Sequence, residues 1–193
     1  MPPSRHIISL RVRSSTRSRG VANRPVRGAI MTTEKSPSLT GGCQCDAVRH
    51  EPTAHPGRTY LCHCRMCEKF VGGPFYALAP VRLQHFIWTR GAPASFASSS
   101  LAHRELCASC GTSLTLGYDN SKWIGATVGS LYQSQGVAPT NRFGVESRIG
   151  WLNSLGALPA TTTDANLSRD GRQKFVNRQH PDHDTPAEWP GPQ

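Results

Sequence analysis

The sequence predicts a single, mostly β domain built from short antiparallel strands, and three observations carry that reading. Of its 193 residues 37% are apolar but only 7% aromatic, and 18 Gly and 15 Pro mark it as rich in turns rather than as a helical bundle. Short β-type runs recur along the middle of the chain, each closed by Gly or Pro. Helical periodicity is confined to one segment.

Taken in order, the expected strands are "RTYLC" (58–62), "FYALAP" (75–80), "LQHFIW" (83–88), "TSLTLGY" (112–118) and "KWIGATVGSL" (122–131), with "GGP", "RGAP" and "DNS" as the turns between them. Only "RMCEKFV" (65–71) has the pattern of a short helix. No unit repeats as a whole, and no stretch approaches the roughly 20 apolar residues that a membrane helix needs.

Charge divides the chain. Residues 1–30 hold seven arginines and no Asp or Glu, which leaves 15 basic against 12 acidic residues, a balance of +3, for the rest. The formal charge of +10 therefore belongs largely to a basic arm, 1–38, expected to be disordered. Any attraction to nucleic acid would come from that arm. Its Arg-rich, Ser-rich, acid-free composition suits a mitochondrial transit peptide, but "MTTEKSPSLTGGCQC" from Met31 reads as a natural amino terminus, so the arm is read first as an upstream extension or tail. The domain is expected over 39–160. Residues 161–193, polar and Pro-rich, have little to bury and are expected to be a disordered tail. Seven cysteines without a secretory signal point to a reducing compartment, the cytoplasm, where thiols serve as metal ligands or nucleophiles.

Those cysteines fall into three groups: Cys43 and Cys45; Cys62, Cys64 and Cys67; Cys107 and Cys110. Two cysteines one or two residues apart on a turn can aim both sulfurs at one point, as tetrahedral zinc at about 2.3 Å per bond requires. The outer groups supply four thiolates, a closed structural site, and Gly111 follows the last pair where a zinc knuckle needs a positive φ. The middle group has three, which leaves a tetrahedral position open to water or substrate, the mark of a catalytic rather than a structural zinc. His63, between two of these ligands, is placed in the surrounding shell or on the surface, with the fourth ligand position as the alternative.

The segments "GGCQCDAVRH" (41–50), "CHCRMCEKFVGGPF" (62–75), "ELCASCGTSL" (105–114), "IGATVGSL" (124–131) and "PTNRFGVESRIGW" (139–151) together resemble the glutathione-dependent formaldehyde-activating enzymes, a family grouped with centromere protein V. The resemblance implies a zinc-containing β-tent fold with two zinc ions, one structural on Cys43, Cys45, Cys107 and Cys110, one catalytic on Cys62, Cys64 and Cys67. It implies a carbon–sulfur lyase whose founding reaction joins glutathione and formaldehyde as S-hydroxymethylglutathione. The family's usual residues give way here to Asp46, Glu68, Tyr132 and Arg142, which alter the charge around the expected pocket without touching a ligand.

A glutathione-like thiol carries carboxylates, so Arg65, Lys69 and Arg142 are the candidate substrate-binding residues, with Arg148 beside them. Trp123 and Trp151 are read as core rather than pocket wall, Phe75 as packing beneath the middle group, and His85 and His103 as ordinary residues. A non-catalytic zinc scaffold that meets nucleic acid or a partner through its basic arm is the competing class; thiol redox chemistry at the middle group is a third, favoured only without metal.

Overall fold

The computed structural model describes residues 39–187 and Trp189; the basic arm lies outside the described residues. In chain order the elements are β1 (Gly41–Gly42), β2 (Arg49–Pro52), β3 (Tyr60–Cys62), α1 (Arg65–Val71), β4 (Tyr76–Arg82), β5 (Phe86–Arg90), β6 (Ala94–Ala97), β7 (Ala102–Leu106), β8 (Ser113–Tyr118), β9 (Trp123–Thr127), β10 (Asn141–Phe143), α2 (Thr163–Asn166) and α3 (Arg169–Lys174). A three-stranded sheet has the order β1-β2-β5, and a seven-stranded sheet the order β10-β3-β4-β9-β8-β7-β6. All pairings are antiparallel except that of β10 with β3. The fold is mostly β, as the sequence predicts.

Side chains of successive strand residues leave on opposite faces, and the core follows that rule in β4. Leu78 packs with Leu116, Tyr76 and the middle cysteines, while its neighbour Ala79 packs with Ala126, Leu39, Leu131 and Val137. A third cluster joins Val48 and Leu114 to Cys43 and Cys107. Among the described residues Tyr76 is the one Phe, Tyr or Trp buried completely, and its hydroxyl is met by Ser113 Oγ at 2.6 Å, Thr127 Oγ1 at 3.1 Å and the Thr115 carbonyl at 3.2 Å. A buried phenol without such partners would be costly.

His50 is also fully buried, with Nε2 3.0 Å from Ser130 Oγ and its ring stacked on Phe86. Burial, and next the charge of Arg49, push its pKa down from 6.5 to about 4. Between those values the unfolded chain binds a proton that the folded chain refuses. Stability from this group is whole above about pH 6.5 and falls as the pH drops towards 4, by about 3 kcal/mol in all. Urea unfolding from pH 7 to 4 is expected to show that slope, and His50→Gln to flatten it; an equal slope in the variant would count against the assignment.

The structure departs from the sequence reading at several points: β1 and β2 are not among the expected strands, and the run at 122–131 ends as a 3₁₀ turn, Val128–Ser130. The run at 83–88 opens with a 3₁₀ turn, Leu83–His85, before β5, and β4 continues past Pro80 to Arg82. Strands β6, β7 and β10 lack an apolar run and are held by pairing: "AHREL" lies between β6 and β8, and β10 lies along β3. The tail expected to be disordered carries α2 and α3, capped by the Thr162 and Ser168 side chains, and then docks. His180 is buried; its N–H donates to the Gln44 carbonyl at 2.8 Å, its Nε2 lies 3.1 Å from Asp46 Oδ1, and its ring stacks on Tyr132. Arg90 donates to the Thr185 and Pro186 carbonyls and pairs with Asp46. A polar tail can thus be tied down by a handful of hydrogen bonds that its composition does not announce.

Candidate active site

The outer cysteines close one cluster. Cys43 and Cys45 occupy the turn from β1 to β2, and Cys107 and Cys110 the turn from β7 to β8, with all four sulfurs within 4.8 Å of one another. Sγ of Cys45 lies 3.6 Å from that of Cys43 and 3.7 Å from that of Cys107. Four sulfurs around a tetrahedral ion at the usual bond length sit about 3.8 Å apart, whereas a disulfide would bring two within about 2.05 Å; all seven cysteines are free. The donor set therefore fits a metal ion. Gly111 has φ 75°, as the knuckle demands, and its N–H donates to the Cys107 carbonyl at 2.9 Å. Asp46 also takes a left-handed φ, 73°, which Asp tolerates better than most residues. Its carboxylate lies 3.1 Å from Arg49 Nε as well as from His180.

The middle cysteines sit where β3 hands over to α1. Cys62 ends the strand, Cys64 is the helix N-cap, and Cys67 lies in the first turn, so strand end and helix start bring three sulfurs within 4.8 Å. Cys62 and Cys67 are buried and Cys64 half-buried, which leaves one side of the group open. β10 clamps this segment from above: the His63 N–H donates to the Phe143 carbonyl at 2.8 Å, and Gly144 (φ 65°) passes so close that a Cβ there would lie 2.7 Å from the Cys64 nitrogen. No side chain larger than hydrogen fits without displacing the ligand loop.

A buried cation, Arg104, meets this group. It projects inward from β7, and its Nη2 donates to Cys67 Sγ at 3.4 Å. The hydrogen bond with Cys62 first, and Arg104 after it, hold the Cys67 thiol well below its ordinary value, at about 5; the same sulfur–sulfur bond and burial push Cys62 up. Sequence reasoning missed Arg104. The one available signal was an arginine at the inward phase of a strand, three residues before Cys107.

Against Cys62 opens a cavity of about 350 Å³, lined by Tyr60 and Cys62 of β3, Leu116 and Tyr118 of β8, and Asn141, Arg142 and Phe143 of β10. Of the expected substrate-binding residues, Arg142 lines it. Arg65 is 69% exposed and paired to Glu68 at 3.0 Å, and the exposed Lys69 shares its helix; neither lines the cavity. Trp123 and Trp151, read as core, are exposed, with Trp123 under the Arg82 guanidinium. His63 is not on the surface: it is 1% exposed, its Nδ1 3.3 Å from the Pro74 carbonyl and its ring edge-on to Phe75. It stands outside the cluster of three sulfurs. His85 bonds Gln84, and His103 lies between Glu105 and Asp119.

The profile of the glutathione-dependent formaldehyde-activating enzymes matches residues 38–147, more than half of the chain. The chain belongs to that family. Among its relatives is an "uncharacterized lyase" of Schizosaccharomyces pombe, 30% identical over 86 residues, which are 45% of this chain and 62% of that protein. The chain thus spans about three-fifths of this relative's length. A solved structure of a Rhodobacter sphaeroides protein is similar at 19% identity with a TM-score of 0.43, covering 54% of this chain and 99% of that one. Among the described residues no helix is long and apolar enough to cross a membrane.

Proposed function

We propose that the chain is a zinc-dependent carbon–sulfur lyase acting on a thiol adduct, such as S-hydroxymethylglutathione formed from glutathione and formaldehyde. Two zinc ions would serve it, a structural one on Cys43, Cys45, Cys107 and Cys110 and a catalytic one on Cys62, Cys64 and Cys67. The observation that carries the reading is the double position of Cys62, at once a member of the three-sulfur group and a wall of the cavity.

In the synthetic direction the thiol sulfur bonds to the aldehyde carbon, the carbonyl π pair moves to oxygen, and the proton lost from sulfur ends on that oxygen; the lyase direction reverses each move. Cys62, Cys64 and Cys67 would hold a zinc ion, which when bound would supply a site for the sulfur as thiolate. The chain's own residues hold the rest of the substrate. Arg142 would face a carboxylate, and Tyr60, Tyr118, Leu116 and Phe143 would line its carbon chain. Phenol hydroxyls are protonated at neutral pH, and burial raises the pKa of both tyrosines further, so either could donate to the forming alkoxide.

The test is exchange spectroscopy on glutathione and formaldehyde with metal-loaded protein, which is expected to accelerate interconversion of thiol and adduct. Arg142→Ala is expected to raise KM for glutathione about tenfold with little change in kcat, because a charge-assisted hydrogen bond of about 1.5 kcal/mol is lost in ground and transition state alike. No acceleration by protein carrying two metal ions would refute the reading.

A further inference from the structure

Arg104 is 3% exposed. Its guanidinium lies 5.1 Å from the centre of the Phe70 ring and 5.5 Å from that of Tyr76. Nε and Nη1 are buried with no hydrogen-bond partner among the described residues, and Nη2 reaches Cys67 Sγ. A guanidinium does not shed its proton in a protein, so its charge has to be answered where it lies. The aromatic rings answer part of it, and the anion it faces is the cysteine group.

The balance of charge is informative. Three thiolates on a divalent ion sum to one negative charge, and one guanidinium brings that to zero. Without the arginine, a fourth ligand that is itself an anion would join a site already negative; with it, the anion joins a neutral one. The hydrogen bond to Cys67 also draws electron density from one thiolate, which offsets the loss of Lewis acidity that three such ligands cause. We propose that Arg104 is the built-in counter-charge of the Cys62, Cys64 and Cys67 group, a positioning residue that makes the loaded site neutral and so selects an anionic sulfur as fourth partner. This rests on the metal-site reading above and assigns to a residue of β7 a role that none of the ligands can fill.

The experiment uses the full chain loaded with Co(II), whose sulfur-to-metal charge-transfer bands report the middle site directly and need no turnover. Titration with 2-mercaptoethanol, which has no carboxylate for Arg142, gives the affinity for a thiol; imidazole gives that for a neutral ligand. Arg104→Lys, which keeps the charge, is expected to bind the thiol within about threefold of the unmutated protein. Arg104→Gln and Arg104→Met, checked for fold by circular dichroism and for two bound metal ions, are expected to weaken the thiol tenfold or more and to leave imidazole unchanged. Neutral variants that bind the thiol as tightly as the parent overturn the inference while leaving the metal site standing. In the unmutated protein, thiocyanate is expected to shift the cobalt bands as imidazole does; a site that takes imidazole and refuses the anion overturns the inference even if no neutral variant folds. Failure of the parent to take cobalt at the middle cysteines sinks the site and the inference together.

Discussion

Cys107→Ser is expected to leave the chain without a cooperative fold at neutral pH, with both the outer metal ion and the β-sheet circular dichroism lost. The outer group bridges residues 62 positions apart and joins the turn of the three-stranded sheet to that of the seven-stranded one. Away from this end the sheets also meet through Leu39 and Phe86, packed with Ala79 and Ala126, and through the Gly41–Leu131 bridge. The core beside the outer group is small, Cys43, Val48, Cys107 and Leu114, with Trp88 and Cys110 packed against it, and β1 is two residues long. Structural zinc in small domains contributes about 10–16 kcal/mol of binding free energy that counts as folding free energy, as much as the about 5–15 kcal/mol by which whole domains are stable. Thermal melting with metal analysis decides the matter: a variant that melts cooperatively within a few degrees of the parent would show that the clasp is dispensable.

The opposite outcome is expected at the middle group. Cys64→Ser is expected to fold, to carry one metal ion in place of two, and to lose lyase activity by roughly a thousandfold, equivalent to about 4 kcal/mol in the barrier. Cys64 is half-buried and caps α1 through its backbone, the Glu68 N–H donating to its carbonyl at 3.1 Å, so a serine keeps the local geometry. The strand on one side is held by β4 and β10 whatever the sulfur does. Full activity in a protein with one metal ion would move the chemistry away from these three cysteines.

Much of the fold and site was legible because the signals are local. The helix "RMCEKFV" occupies 65–71 as read, and the strands around Tyr60, Leu78, Leu116 and Ile124 coincide with the apolar runs. The strands that escaped, β1, β2, β6, β7 and β10, lack a long apolar run and are strands because a neighbour completes their hydrogen bonds. Asp46, a departure from the family pattern, is expected from the sequence to alter the charge around the pocket; in the fold it takes a left-handed turn and gathers Arg49, Arg90 and His180. Neither Arg90 nor His180 lies near it in the chain.

By itself the sequence determined the donor chemistry: which sulfurs pair off, that four close one group and three leave another open. Covalent spacing within a single turn controls where the sulfurs of one short group can point, and counting ligands matched the two outer pairs, which the fold then brings together across 62 positions. Only the tertiary structure decided what surrounds the open group. The cavity is assembled from β3, β8 and β10, and Arg104 reaches Cys67 from 37 positions away. Burial and sheet pairing set those meetings, and with them the charge that the three sulfurs feel.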